Sequence, residues 1–212
     1  MAMHDLQELL KHSLGDLYFA EKTILKGLKK MAREVSNPEL RARLEQHQEE
    51  TAQQLQVLEQ AFAAMGERAK AEKCPGILGI QEEHDEFVRE EEPSKMVLEA
   101  FDLGSALRVE HYEIAGYRSA IALAKALGQR EVVALLQQNL AQELAMAKFV
   151  ERAAGPALAA TRQQLREAGA QAAAGGATGG ARRARGAGAK RGATAETAER
   201  APARRRATAG AS

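Results

Sequence analysis

A chain of 212 residues with one cysteine, Cys74, has no internal disulfide to build on, so a core of buried side chains must hold it together. Tryptophan is absent, aromatic residues make up 4%, and helix-forming Ala, Leu, Glu, Gln, Lys and Arg dominate, which excludes a β-rich design and predicts an all-α fold. The net charge of +1 hides a split: residues 170–212 carry +7, leaving −6 for residues 1–169, so body and tail are suited to different partners.

Asp5 is placed to cap a first helix over about 5–35, with Leu10, Leu14, Leu17, Ile24, Leu28 and Met31 at helical spacing. Glu21 interrupts that apolar row. Ser36, Asn37 and Pro38 make a short link into a second helix over about 38–65, whose inner face carries Leu40, Leu44, His47, Thr51, Leu58 and Phe62, with Glu50 beside His47. The link predicts an antiparallel hairpin. Residues 66–93 contain Gly66, Pro75, Gly76, Gly79 and Pro93 and read as a crossover with one short acidic helix near Ile80 to Glu92.

A third long helix is expected over about 94–127, closed by Gly128, with Leu103, Leu107, Ile114, Tyr117 and Ile121 facing the core and Glu110 and Glu113 set among them. The fourth is expected over about 129–154, ended by Gly155 and Pro156, with Val132, Leu136, Leu140, Ala147 and Val150 on its stripe and Glu143 interrupting it. Residues 1–156 thus predict a four-helix bundle, residues 157–169 a short helix or linker, and residues 170–212, an Ala/Gly/Arg-rich stretch without large apolar side chains, a disordered tail. No stretch approaches the ~18 apolar residues of a membrane span, and no leader pattern precedes the first helix, so a cytoplasmic protein with no membrane attachment is expected.

An inward carboxylate on each long helix needs a cause, because burial of an unpaired charge is costly. Counted from the turns, Glu21 and Glu50 lie at nearly one level across the first hairpin, and Glu113 and Glu143 at one level across the second, with Glu110 a turn away. Four such carboxylates with an imidazole can neutralise two divalent ions, which predicts a dinuclear iron or manganese site. Glu21, Glu50, Glu113 and Glu143 are the expected direct ligands, with Glu110 and His47 as further ligands or supports; His47 is preferred to His111 because it lies on the stripe. The alternative is that each glutamate sits at a stripe edge and pairs with Lys or Arg. Tyr18, Tyr112 and Tyr117 read as packing residues with bonded hydroxyls or as supports to a metal, Cys74 as an ordinary thiol, and Glu90 to Glu92 as a solvated helix end.

The segments LYFAEKTILKGL around Glu21, HQEETAQQLQVLEQAF from His47, KCPGILGI around Cys74, VEHYEIAGYRSAIALA around Glu110 and LLQQNLAQEL before Glu143 resemble, over residues 4–154, the YciF-type ferritin-like stress protein family. The resemblance implies a ferritin-like bundle, a homodimer, a dinuclear metal site and a role in stress responses. Ferritin-like di-iron bundles generally carry Glu-x-x-His on their second and fourth helices, whereas here Gln53 and Met146 follow Glu50 and Glu143 at that spacing. The implied site is therefore richer in oxygen. A second, non-enzymatic expectation is a helical dimer whose basic residues 182–206 bind nucleic acid or another polyanion without reading sequence.

Overall fold

The computed structural model describes residues 3–184, with side chains to residue 173. Five helices follow one another: α1 (Leu6–Glu34), α2 (Pro38–Ala64), α3 (Pro75–Glu91), α4 (Lys95–Ala126) and α5 (Arg130–Ala184). There is no strand among the described residues, and none of the helices is long and apolar enough to cross a membrane.

The caps expected from the sequence form. The Asp5 carboxylate accepts from the Glu8 amide at 2.8 Å, and Asn37 Oδ1 accepts from the amides of Glu39 and Leu40, with Pro38 in the first turn where its missing N–H costs nothing. Gly128 closes α4 at φ +68°, a left-handed conformation that a side chain would strain. α3 is longer than the expected acidic helix, because Pro75 starts it five residues earlier.

α1 and α2 run antiparallel, Lys11 meeting Glu67 near one end and Tyr18 meeting Glu59 further along. α4 is antiparallel to α1: Tyr117 reaches Glu21, while Glu99 accepts from the Ser36 amide at the far end of α1. Gly116 allows that approach, since a Cβ there would lie 2.9 Å from Leu17 Cδ2. The α3 crossover is what permits α4 to run parallel to α2 rather than hairpin against it.

Two apolar clusters fill the interior. One joins Leu10, Leu14, Leu17, Leu58, Phe62, Ile121, Val132 and Leu136; the other joins Ile24, Leu28, Leu44, Ile77, Leu103, Met146 and Val150. Along each of α1, α2, α4 and α5 the buried polar residues fall between members of these two sets. The core is therefore a polar layer held between two apolar ones.

The expected stop at Gly155 and Pro156 is absent. α5 continues through both, and residues 170–184, expected to lack structure, lie within it. One proline removes a single intrahelical donor, and the flanking sequence is rich in alanine and other strong helix formers, supported by Gln163 donating to Glu167 one turn on at 2.9 Å. The rest of the tail, including most of the basic stretch 182–206, lies outside the described residues. Residues 3–167 belong to one compact unit, which holds the site described below.

Candidate metal centre

Four helices deliver polar side chains to the layer between the apolar clusters. α1 brings Glu21; α2 brings His47, Thr51 and Gln54; α4 brings Glu110, Glu113 and Tyr117; α5 brings Asn139 and Glu143. All are at most 2% exposed. They reach one level because each sits one helical step from core residues that fix its helix: Glu21 between Leu17 and Ile24, His47 three residues after Leu44, Glu143 three before Met146.

His47 stands at the middle. Its Nε2 lies 3.4 Å from Glu110 Oε1 and 3.9 Å from Glu143 Oε2, and ligand atoms of His47, Glu110 and Glu143 all fall within 4.8 Å of one another. Its Nδ1 is 3.1 Å from Glu50 Oε2. Neither Nε2 distance comes with aligned hydrogen-bond geometry, so the attraction there is chiefly electrostatic. Burial opposes charge on the ring, but the carboxylates of Glu110, Glu50 and Glu143 prevail and push its pKa up to about 10.

Glu21 and Glu113 make the other half of the group, close enough that the Glu21 charge acts on the Glu113 carboxyl. Glu21 also accepts from the Tyr117 hydroxyl, which in turn accepts from Asn139 Nδ2 at 3.0 Å. Gln54 donates to Glu143 Oε1, and Asn139 also donates to the Gln54 carbonyl at 3.2 Å, tying α2 to α5. Burial raises the pKa of Glu21 to about 7, against the lowering pull of Tyr117 and His47. Burial, then repulsion from neighbouring carboxylates, raises Glu113 and Glu143 well above the usual range. Burial and the Glu21 charge likewise hold the Tyr117 hydroxyl protonated far above its usual range.

Five of the six residues predicted to ligate metal are thus brought together: Glu21, His47, Glu110, Glu113 and Glu143. Glu50 is not. Its carboxylate turns to Arg43 at 3.0 Å and Gln46 at 2.8 Å, is partly exposed, and touches the group only through His47. Arg43 lies two turns before Glu50 on the same side of α2 and draws it there, and with His47 it holds the Glu50 pKa below the usual range despite burial. Glu110, expected a turn away, is adjacent to His47 and Glu143. His111 is exposed and faces Glu151 at 3.6 Å. Gln54 and Asn139 were missed by sequence reasoning; the available signal was an amide one helical step from Thr51 and two from His47, and another one turn before Glu143.

Six buried polar atoms of this group have no hydrogen-bond partner: Glu21 Oε2, His47 Nε2, Gln54 Oε1, Glu110 Oε2, Glu113 Oε1 and Glu143 Oε2. Buried polar atoms are nearly always partnered, so this concentration in one place is the structure's main anomaly. The donor set of four carboxylates and one imidazole is the hard, mixed O/N set that divalent iron and manganese take.

A family model described as "Domain of unknown function (DUF892)" matches residues 5–167. The chain is 35% identical over 146 residues to Protein YciF of Escherichia coli (strain K12), covering 68% of this chain and 87% of that protein. Among solved structures, that of the E. coli stress protein YciF superposes with a TM-score of 0.68 at 32% identity, covering 74% of this chain and 98% of the other. The structure of YcfI from Rhodopseudomonas palustris gives a TM-score of 0.67 at 38% identity, covering 70% and 94%. A Xanthomonas campestris protein gives 0.63 at 26%, covering 76% and 99%. With the family model spanning the whole helical body and the YciF structure matched over almost its full length, this chain belongs to the DUF892, YciF-type family.

Proposed function

We propose that the protein is a ferritin-like four-helix metal protein of stress defence, binding divalent iron or manganese in the polar layer and reacting with dioxygen or peroxide. The observation that carries the reading is the set of six unpartnered polar atoms, supplied by four helices and converging on one buried place. Glu21, His47, Glu110, Glu113 and Glu143 would hold the metal, which supplies Lewis-acid and electron-transfer chemistry when bound.

The chain's own residues prepare the place. Glu50 faces His47 Nδ1, so the proton held there leaves Nε2 as the nitrogen directed at Glu110 and Glu143. Tyr117 and Gln54 hold one oxygen each of Glu21 and Glu143, leaving the second oxygen of each without a partner. The apolar clusters above and below exclude bulk water, which strengthens every charge interaction inside. The E. coli relative is described as a stress protein, and a site that handles redox-active metal and oxidant accords with that role.

Elemental analysis of tag-free, full-length protein purified without chelator, followed by anaerobic titration with Fe²⁺ or Mn²⁺, tests the reading. About two ions per chain are expected, as in dinuclear centres generally, and Glu143→Gln should lower that number with helical content unchanged. Absence of metal under both conditions overturns the assignment.

A further inference from the structure

Glu21, His47, Glu110, Glu113 and Glu143 are all at most 2% exposed, whereas the Glu50 side chain is 17% exposed and still reaches His47. One carboxylate therefore touches both solvent and the buried group. Three neighbours hold it: Gln46, itself exposed, donates to Oε1 at 2.8 Å, Arg43 donates to Oε2 at 3.0 Å, and His47 Nδ1 lies 3.1 Å from the same Oε2. The Arg43 side chain is mostly buried, and its guanidinium sits 5.9 Å from the centre of the Phe149 ring, which fixes it between α2 and α5.

A second approach to the polar layer has a different character. A cavity of about 150 Å³ opens between α1, α3 and α4, and Glu110 is among the residues that line it. Lys30, Gln81 and Asp85 are exposed at its mouth, but its buried walls are Ile24, Leu28, Leu44, Ile77 and Met146. Against those walls a divalent ion finds no oxygen to replace its water, and stripping that water is costly. At Glu50 the same ion exchanges water for a carboxylate oxygen. Arg43 decides when, because it occupies the oxygen that faces His47.

We infer that Glu50 is the entry carboxylate for the divalent ion and Arg43 its latch: Glu50 receives the cation from solvent, and Arg43 holds that carboxylate closed over His47 until the pair opens. The inference rests on the metal centre proposed above and adds its entrance. It gives Glu50 a role that fits its place, outside the converging carboxylates yet tied to one of the residues among them. A gate is a barrier crossed in both directions, so the pair sets the rates of uptake and release alike and leaves the equilibrium affinity as it is.

The test uses full-length protein stripped with chelator and mixed rapidly with Mn²⁺ alone, the free ion being followed by its electron paramagnetic resonance signal. Release is read by adding excess chelator to loaded protein, and equilibrium titration gives stoichiometry and Kd. Glu50→Gln, which keeps an oxygen for Arg43 or His47 and loses the charge, should slow uptake and release together, roughly tenfold or more, with stoichiometry and Kd little changed. Arg43→Met, which keeps an apolar stem against Phe149 and removes the latch, should speed both. Gly27→Leu builds into the apolar cavity, where an added Cβ meets nothing within 4 Å, and should alter neither rate. Weaker Kd in the Glu50 and Arg43 variants through faster release, with uptake unchanged, is what mere support of His47 predicts and overturns the proposal. Unchanged rates in both variants overturn it too, as does slower uptake in Gly27→Leu, which makes the cavity the entrance. Those three results leave the metal centre standing; no Mn²⁺ bound by the wild type at equilibrium removes the centre and its gate together.

Discussion

Replacing Glu21 by Gln gives a stability change whose sign depends on pH. In the folded, metal-free protein the Glu21 carboxyl has its pKa raised from 4.5 to about 7, with burial the largest cause. Folded protein therefore binds more protons than unfolded chain between those values, and stability falls as pH rises through that window. The contribution is fully present below pH 4.5 and lost above pH 7, a difference of about 3 kcal/mol. Gln does not titrate, and its carbonyl oxygen can still accept from the Tyr117 hydroxyl that bonds Glu21. The variant should thus gain about 3 kcal/mol on the wild type between pH 4.5 and pH 8, or on the order of 10 °C in Tm for a body of this size. Urea unfolding of chelator-treated protein at several pH values measures it; groups remote from Glu21 cancel in the difference between the two proteins, whereas Glu113 and Glu143, whose pKa values the Glu21 charge raises, shift with it. Added Fe²⁺ or Mn²⁺ should stabilise the wild type at pH 8 and the variant much less. Parallel stability curves for wild type and variant across this window would refute the assignment of Glu21 as a buried, proton-holding carboxyl.

His47 acts in the same direction over a higher pH range: raised from 6.5 to about 10, it contributes stability present in full below pH 6.5 and lost as pH rises through 10, so nitrogen NMR should show a doubly protonated ring through pH 8 in metal-free protein. Tyr117→Phe removes the donor to Glu21 and the acceptor for Asn139, and should cost about 1–3 kcal/mol in urea unfolding and move the Glu21 transition to higher pH. Gly76→Ala would place a Cβ 2.5 Å from the Tyr112 ring, displacing a hydroxyl that bonds Asp16 at 3.1 Å and Cys74 at 2.8 Å. A loss of about 1–3 kcal/mol in unfolding free energy is expected, with no change in metal stoichiometry because Tyr112 faces away from the polar layer.

Glu21 and Glu143 were legible in the sequence because a carboxylate in an otherwise apolar helical row has no bland neighbour to blend with. Glu50 was not placed correctly for a physical reason: three residues after His47 puts it on an adjoining face, and spacing alone does not say which side of the stripe turns inward. Arg43 decides that, and its influence is visible only once the α2 surface is formed. Gln54 and Asn139 escaped notice because amides are ordinary on exposed helix faces; what marks them is burial beside Glu143 and Tyr117. The Gly155-Pro156 pair was read as a terminator, yet local propensity on both sides carried α5 through it. Turn counting found the level of the carboxylates within each hairpin but had no information about the pairing between hairpins, which placed Glu110 with His47 and Glu113 with Glu21.

The energetics separate a metal centre from a merely structural polar core. A structural network gains its specificity by partnering its atoms, as Asn139 does here with Tyr117 and Gln54. Six unpartnered atoms in one group, at about 1–3 kcal/mol each, amount to roughly the whole stability of a domain. Protonation lightens the cost by making Glu113 and Glu143 donors to neighbouring carboxyls, and the His47 charge offsets part of what remains, but two protons do not give all of Glu21 Oε2, Glu110 Oε2 and Glu143 Oε2 a partner. A divalent ion would do so while displacing the protons, so its affinity should fall as pH falls through the Glu21 transition near 7. A core built only for stability has no reason to show that coupling between proton release and metal uptake.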